Sequence, residues 1–209
     1  ATGPDIMPWC EWEYFKNFGD RDRLAKVFPP LLAYHEWLRM YHTWPDGTYW
    51  SSGWGCGMDN LPRQQEGYPI SYSNGHMVWI DACLQELMNC GILMEMARLL
   101  GREEEIAPLR QERENLAQVI NEKLWDEETG FYYDLWKNGK LNMVKHIGAY
   151  WALLAEAVPK DRVDRFVAHL ENEREFKCPH RIPALSADHP WFAKDGGYWN
   201  GGVWAPTNY

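Results

Sequence analysis

The sequence predicts an all-α fold of helical hairpins in which inner helices alternate with outer ones. Three observations lead there. Segments that are apolar on nearly every face, 74–100 and 141–158, are followed by segments carrying only a narrow apolar stripe, 102–124 and 159–173. The first kind must be buried on most sides and the second on one side only. Connections from inner to outer helices are tight, at Gly19, Gly101 and Pro159, whereas those from outer to inner are long, over 43–72, 125–140 and 175–200. Of 13 Trp residues, seven fall in those three long connectors. Antiparallel hairpins bring all three to one end of the stack, the N-terminal ends of the inner helices, where a rigid scaffold presents its functional loops.

Taken in order, Pro8 to Phe18 reads as a short helix closed by Gly19, a residue suited to the left-handed conformation after a helix end. From Asp20 to about His42 the residues Leu24, Phe28, Leu31, Tyr34, Leu38 and Tyr41 keep helical spacing. Pro29-Pro30 is expected to break or kink this helix, because proline removes a hydrogen bond and crowds the preceding turn. Asn74 to Leu100 is the strongest helix, and Gly101 ends it. Arg102 to Leu124 packs through Ile106, Leu109, Leu116, Ile120 and Leu124. Trp125 to Lys140 reads as turn, short extended segment and turn, with Gly130 and Asn138-Gly139 as the turn signals. Leu141 to Val158 is predicted as an inner helix, and Pro159 to about Glu173 as its outer partner. Gly201-Gly202-Val203-Trp204 reads as the start of a further inner helix.

Composition narrows the function. A chain of 209 residues with 45% apolar content suits one domain or a piece of a larger one. A net charge of −9 argues against a nucleic-acid partner. No run of 18 apolar residues exists, so no membrane span is expected. Five cysteines, odd in number and without a CxxC spacing, read as reduced thiols, which leans towards the cytoplasm. His76, His180 and His189 lack metal-ligand spacing, and no metal or other cofactor is expected. Trp and Tyr join a flat apolar face to a polar tip, which suits sugar-stacking sites as well as cores. Composition does not choose between these, but the gathering of Trp in the long connectors suits a flat-ringed, uncharged or weakly polar small molecule such as a carbohydrate, which is the expected ligand.

The connector Ser51 to Arg63 is the centre of the candidate site. Its glycines permit tight turns, Trp54 and Met58 supply an apolar wall, and Asp59 and Arg63 are its only charges. Asp59 admits two roles: a protonated acid serving a bound ligand, or the partner of Arg63 in an ion pair that only shapes the loop. Asn60 and Arg63 either bond sugar hydroxyls or brace the loop. Trp9, Trp54, Tyr198, Trp199 and Trp204 are candidate sugar platforms, with Asn200 and Gly201 beside them; Trp79, Trp151 and Trp12 sit within helical patterns and read as core. Asp81 opens an apolar helix, where the helix dipole favours a carboxylate.

Several segments, in order, carry a family resemblance. They are Pro8-Trp9-Cys10-Glu11-Trp12-Glu13, Phe28-Pro29-Pro30-Leu31 with His35-Glu36-Trp37, Ser52-Gly53-Trp54 to Arg63, Ile80-Asp81-Ala82, Trp125 to Asp134, and Tyr198-Trp199-Asn200-Gly201-Gly202-Val203-Trp204 followed by Asn208-Tyr209. Together they resemble the six-hairpin glycosidases, specifically the inverting α-glycosidases of glycoside hydrolase family 63 and the trehalases of family 37. The resemblance implies an (α/α)6 toroid, with residues 1–209 a partial catalytic domain holding about half of the barrel. It implies an α-glucosidic or related α-glycosidic bond as the substrate bond, Asp59 as the general acid, and a general base lying beyond residue 209. Asn200 and Gly202 depart from the family's usual Arg and Pro. An inverting pair stands ~6.5–9.5 Å apart to admit the attacking water. Glu11, Glu13, Glu66, Asp81, Asp188 and Asp195 are the candidate carboxylates for a place near the cleft, but none carries a base-specific signal. A sugar epimerase relying on paired histidines and a non-catalytic sugar-binding module are the alternatives on the same scaffold.

Overall fold

A computed structural model of the chain describes residues 3–63, 67–69 and 72–208. Helix α1 (Met7–Phe18) ends at Gly19, whose left-handed backbone (φ 64°) lets its N–H reach the Phe15 carbonyl. Helix α2 (Arg21–Tyr41) starts under the Asp20 carboxylate, which accepts the Arg23 N–H. After the one-turn α3 (Gly53–Cys56) and strand β1 (Met77–Val78) comes α4 (Ile80–Leu100), the central element. It packs on α1, α2, α5 (Ala107–Val119) and α6 (Trp151–Leu154). Cys83, Leu84, Leu87, Cys90, Leu93, Met96 and Ala97 of α4 are all buried, and each large apolar side chain removed from water contributes about 1.5–3 kcal/mol. By contrast α5 buries only Leu109 and Leu116, and α7 (Lys160–Ala168) only Phe166. The inner and outer alternation holds for α4 and α5; in the first hairpin it is reversed, α1 burying only Pro8 and α2 six side chains, and α6 buries only Ala152.

Three further sequence expectations are corrected. The proline pair does not break α2, which runs through Pro29 and Pro30. Both prolines are exposed, as are Ala25 and Lys26 four positions earlier, so the carbonyls left without an N–H partner lie on the solvated side of the helix. The central helix begins at Ile80 rather than Asn74. Met77 and Val78 pair instead with Trp136 and Leu135 of β4 (Asp134–Trp136), and Trp79 donates its N–H to the Tyr49 carbonyl. The expected helix over 141–158 is reduced to a 3-10 turn (Ile147–Tyr150) and α6. Its first part, β5 (Leu141–Asn142), pairs with β4. Ile147 N–H bonds Ala184 and the Lys145 carbonyl accepts from Ser186, so the 184–186 segment takes backbone groups that a helix would have used.

The remaining connector forms the hairpin β2 (Trp125–Asp126) and β3 (Phe131–Tyr132). The Asp126 carboxylate accepts the N–H and hydroxyl of Thr129, each at 2.7 Å, which marks the stretch as a turn. Beyond α7 the described residues hold three 3-10 turns, His169–Glu171, Tyr198–Asn200 and Ala205–Thr207, and no α-helix over 201–208. The core is in two parts. The larger lies between the helices around α4; the smaller joins Cys56, Met58, Leu61, Trp79, Ile147, Leu185 and Trp199 beneath the connectors.

Candidate active site

The three long connectors meet at the N-terminal end of α4, the end expected from the hairpin order. Arg63 of the first connector is 0% exposed and lies face-on to the Trp79 ring at 4.2 Å. It bonds Asp81 in the first turn of α4 through Nη1–Oδ2 (2.8 Å) and Nη2–Oδ1 (2.7 Å). Asp134 of the second connector receives Nε on Oδ2 (2.8 Å) and Nη2 on Oδ1 (2.7 Å), and its Oδ1 also accepts the Ile80 N–H. Burial pushes the Asp134 carboxyl up, but the Arg63 guanidinium and the nearby His146 together outweigh it and hold the pKa well below the usual carboxylate range. Burial likewise opposes the charge on Arg63, and Asp134 and Asp81 restore it.

This geometry corrects two readings of Arg63. It does not pair with Asp59, and it presents no donor to a ligand, because its planar fork is enclosed between two buried carboxylates. It is the brace of the first connector, and Asp81 has the structural role its helix position suggested. Met58 is also turned inward, at 4% exposure within the smaller core, so it supports the loop from beneath instead of forming a ligand wall.

Asp59 is half-buried one residue after Met58, where the backbone has just passed Gly57 in the left-handed conformation (φ 76°). Its Oδ2 accepts the Tyr198 hydroxyl at 3.1 Å. The next residue, Asn60, donates Nδ2 to the Gly197 carbonyl (3.0 Å) and accepts the Trp199 N–H on Oδ1 (2.9 Å). The first and third connectors are thereby tied together on either side of Tyr198. Tyr198 is 50% exposed, with its ring edge-on to Trp204 at 5.4 Å; Trp204 stacks on the buried Trp199 at 4.7 Å and 18°. Trp54 is exposed and tilted against Tyr72.

Among the other candidates, Asn200 and Gly201 continue the Tyr198 turn. A Cβ added at Gly201 would stand 2.1 Å from the Ala193 carbonyl oxygen, so this position has no room for a side chain. Gly201 and Gly202 also line a cleft of about 650 Å³ with Pro183, Phe192, Lys194 and Asp195. Trp9 is placed elsewhere. It packs edge-on to Trp151 at 5.9 Å and lines a cleft of about 240 Å³ with Ile147, Tyr150, Leu154 and Pro206. Of the carboxylates considered as partners, Glu11 is held by Arg23, Glu13 by Lys16, Asp81 by Arg63 and Asp188 by Lys145. Asp195 is exposed. Glu66 and Tyr209 lie outside the described residues.

Asp134 had no assigned role in the sequence; its only signal was a carboxylate closing the aromatic run Phe131-Tyr132-Tyr133. Beside it, His146 is buried with Nε2 3.8 Å from Asp134 Oδ2, too long for a hydrogen bond. A second polar cluster sits apart, where His35, Cys90 and Glu112 place potential metal ligands within 4.8 Å of one another. Both His35 ring nitrogens face carboxylates, Glu86 at 2.7 Å and Glu112 at 3.2 Å. Burial works against the charge on His35, but its contacts with Cys90, Glu112 and Glu86 hold its pKa well above the usual value. The cluster is therefore an internal ion pair in which the imidazolium is the cation.

Residues 1–209 match the family model described as the mannosylglycerate hydrolase MGH1-like glycoside hydrolase domain. The chain belongs to that family. An uncharacterized protein of Borreliella burgdorferi is 26% identical over 207 residues, which cover 99% of this chain and 42% of that protein. The mannosylglycerate hydrolase of Thermus thermophilus is 22% identical, the match covering all of this chain and 62% of the relative. The crystal structure of that organism's family-63 mannosylglycerate hydrolase in complex with glucose superposes with a TM-score of 0.84 at 23% identity, over all of this chain and 60% of the other. The fold is thus the (α/α)6 type of the six-hairpin glycosidases. The chain spans roughly two-fifths to three-fifths of the length of these relatives.

Proposed function

We propose that this chain is part of the catalytic domain of an inverting glycoside hydrolase that cleaves an α-glycosidic bond of a small glucoside or mannoside. Asp59 is the general acid in this reading, and the base belongs to sequence beyond residue 209. One observation carries it: the Asp59 carboxyl stands half-buried where two aromatic-rich connectors meet, while the cation of its loop, Arg63, is wholly engaged below. Among the described residues no guanidinium pairs with Asp59, so its carboxyl is left facing the cleft for a departing oxygen. Tyr198 and Trp204 offer rings against which a pyranose can lie. A second carboxylate across the cleft takes the proton of the attacking water, and the anomeric configuration inverts.

The test uses the full-length enzyme with α-glucosides and with mannosylglycerate, following the first-formed anomer by proton NMR. Asp59→Asn is expected to lower kcat by at least about 100-fold, the scale of general acid catalysis, with an unchanged circular dichroism spectrum. A variant that turns over at the wild-type rate, or a first product of retained configuration, would overturn the proposal.

A further inference from the structure

Resting on the reading of Asp59 as the acid, we infer that Tyr198 is a positioning residue for that carboxyl and that Asn60 is the latch that sets it there. The contacts form a closed circuit. Tyr198 grips Asp59, and Asn60, the residue after Asp59, grips the backbone immediately before and after Tyr198. Tyr198 itself lies in the left-handed region (φ 61°), which a bulky side chain avoids because its Cβ crowds the following carbonyl oxygen. Such a conformation persists only where its surroundings over-determine it. Here the two Asn60 bonds, the Trp204 Nε1–H bond to the Tyr198 carbonyl (3.3 Å) and the lack of room at Gly201 and Gly202 do so. The strained residue is the one whose hydroxyl meets the acid.

The chemical consequence concerns which oxygen carries the proton. With Oδ2 held as an acceptor, the Asp59 proton resides on Oδ1, and a flip of the carboxyl would break the Tyr198 bond. The acid is then pre-aimed, so less orientational freedom is lost at the transition state. Sugar stacking uses the ring of Tyr198; aiming uses its hydroxyl. Tyr198→Phe removes only the second.

The experiment compares Tyr198→Phe, Tyr198→Ala, Asn60→Ala and Asp59→Asn in the full-length enzyme on two substrates sharing one sugar: a glycoside with an alkyl or sugar leaving group, and the α-glycosyl fluoride, whose leaving group departs without a proton. Tyr198→Phe is expected to lower kcat on the first about 10-fold or more, within the range of acid catalysis, with KM nearly unchanged, and to alter fluoride hydrolysis less than about twofold. Asn60→Ala is expected to show the same split, and Asp59→Asn a larger one. Wild-type kcat in Tyr198→Phe, a rise in KM alone, or an equal loss on both substrates would each overturn the latch. If Asp59→Asn hydrolyses the alkyl glycoside at the wild-type rate, the acid assignment falls and the latch with it; if only Tyr198→Phe is silent, the latch falls alone.

Discussion

Arg63 and Asp134, 71 positions apart in the chain, share a two-bonded fork in which Nε meets Oδ2 at 2.8 Å and Nη2 meets Oδ1 at 2.7 Å. With Asp81 on its other edge, Arg63 joins the connector that bears Asp59, the first turn of α4 and strand β4. The loop carrying the candidate acid is therefore held from below by three charges that water does not reach.

Removing the cation should be severe. Arg63→Met leaves two buried carboxylates without a partner, and breaking such a pair costs about 3–5 kcal/mol. Urea denaturation is expected to show that loss. Arg63→Lys keeps the charge but not the forks and should fall between. The triple variant Arg63→Met, Asp81→Asn, Asp134→Asn should recover part of the difference; no recovery would mean that the carboxylates are not the origin of the cost.

Asp5 gives a pH dependence of opposite sign to Asp134. Burial first, and the charge of Glu86 second, push the Asp5 carboxyl from its ordinary 3.8 up to about 7, although His35 opposes the shift. Neither carboxylate oxygen has a hydrogen-bond partner among the described residues. A folded state that binds a proton more tightly than the unfolded state loses stability as pH rises between the two values. Asp5→Asn should match the wild type near pH 4 and exceed it above pH 7 by on the order of a few kcal/mol. Parallel melting curves at both pH values check this, and equal differences at the two would refute it. For Asp134 the folded value is depressed, so its contribution is present above the ordinary carboxylate range and is lost only as pH falls well below it.

Gly201→Ala tests the tightness of the Tyr198 turn. The added methyl meets the Ala193 carbonyl oxygen at 2.1 Å, against backbone that has no rotamer to yield. A cost of about 1–3 kcal/mol is expected from such overpacking. In the full-length enzyme kcat should fall as Tyr198 is carried away from Asp59. Unaltered stability together with unaltered kcat would show that the turn relaxes freely.

Pro29→Ala addresses the helix that was expected to break. Alanine is favoured over proline within a helix by about 3 kcal/mol, less about 0.4–1 kcal/mol for the stiffening of the unfolded chain that proline provides. Because Pro29 is exposed, no packing is lost, and a gain of about 2–2.6 kcal/mol in thermal unfolding is expected. A lower melting temperature would show that the proline shapes α2 productively.

Much of this molecule is legible in one dimension because helical burial repeats locally. The apolar girdle of 80–100, the narrow stripes of α5 and α7 and the stop at Gly19 all follow from residues three or four positions apart. The junction of the connectors follows too, since tight turns on one side force the long ones to the other. The resemblance to six-hairpin glycosidases, carried by the segments around Asp59 and Tyr198, agrees with the family match across the whole chain.

The tertiary structure decided where the polar groups go. Arg63 stands four residues from Asp59, yet its partners are Asp81 and Asp134, because a buried guanidinium pairs with whatever carboxylates share its cavity and sequence distance does not enter that choice. Tyr198, read as a platform, also presents a hydroxyl to Asp59, a contact 139 residues long in sequence. Residues 141–146 left the expected helix because strand β4 and the 184–186 segment were there to receive their backbone hydrogen bonds. Hydrophobic periodicity is a property of neighbours in the chain. The partner of a buried charge or an unsatisfied N–H is a property of neighbours in space.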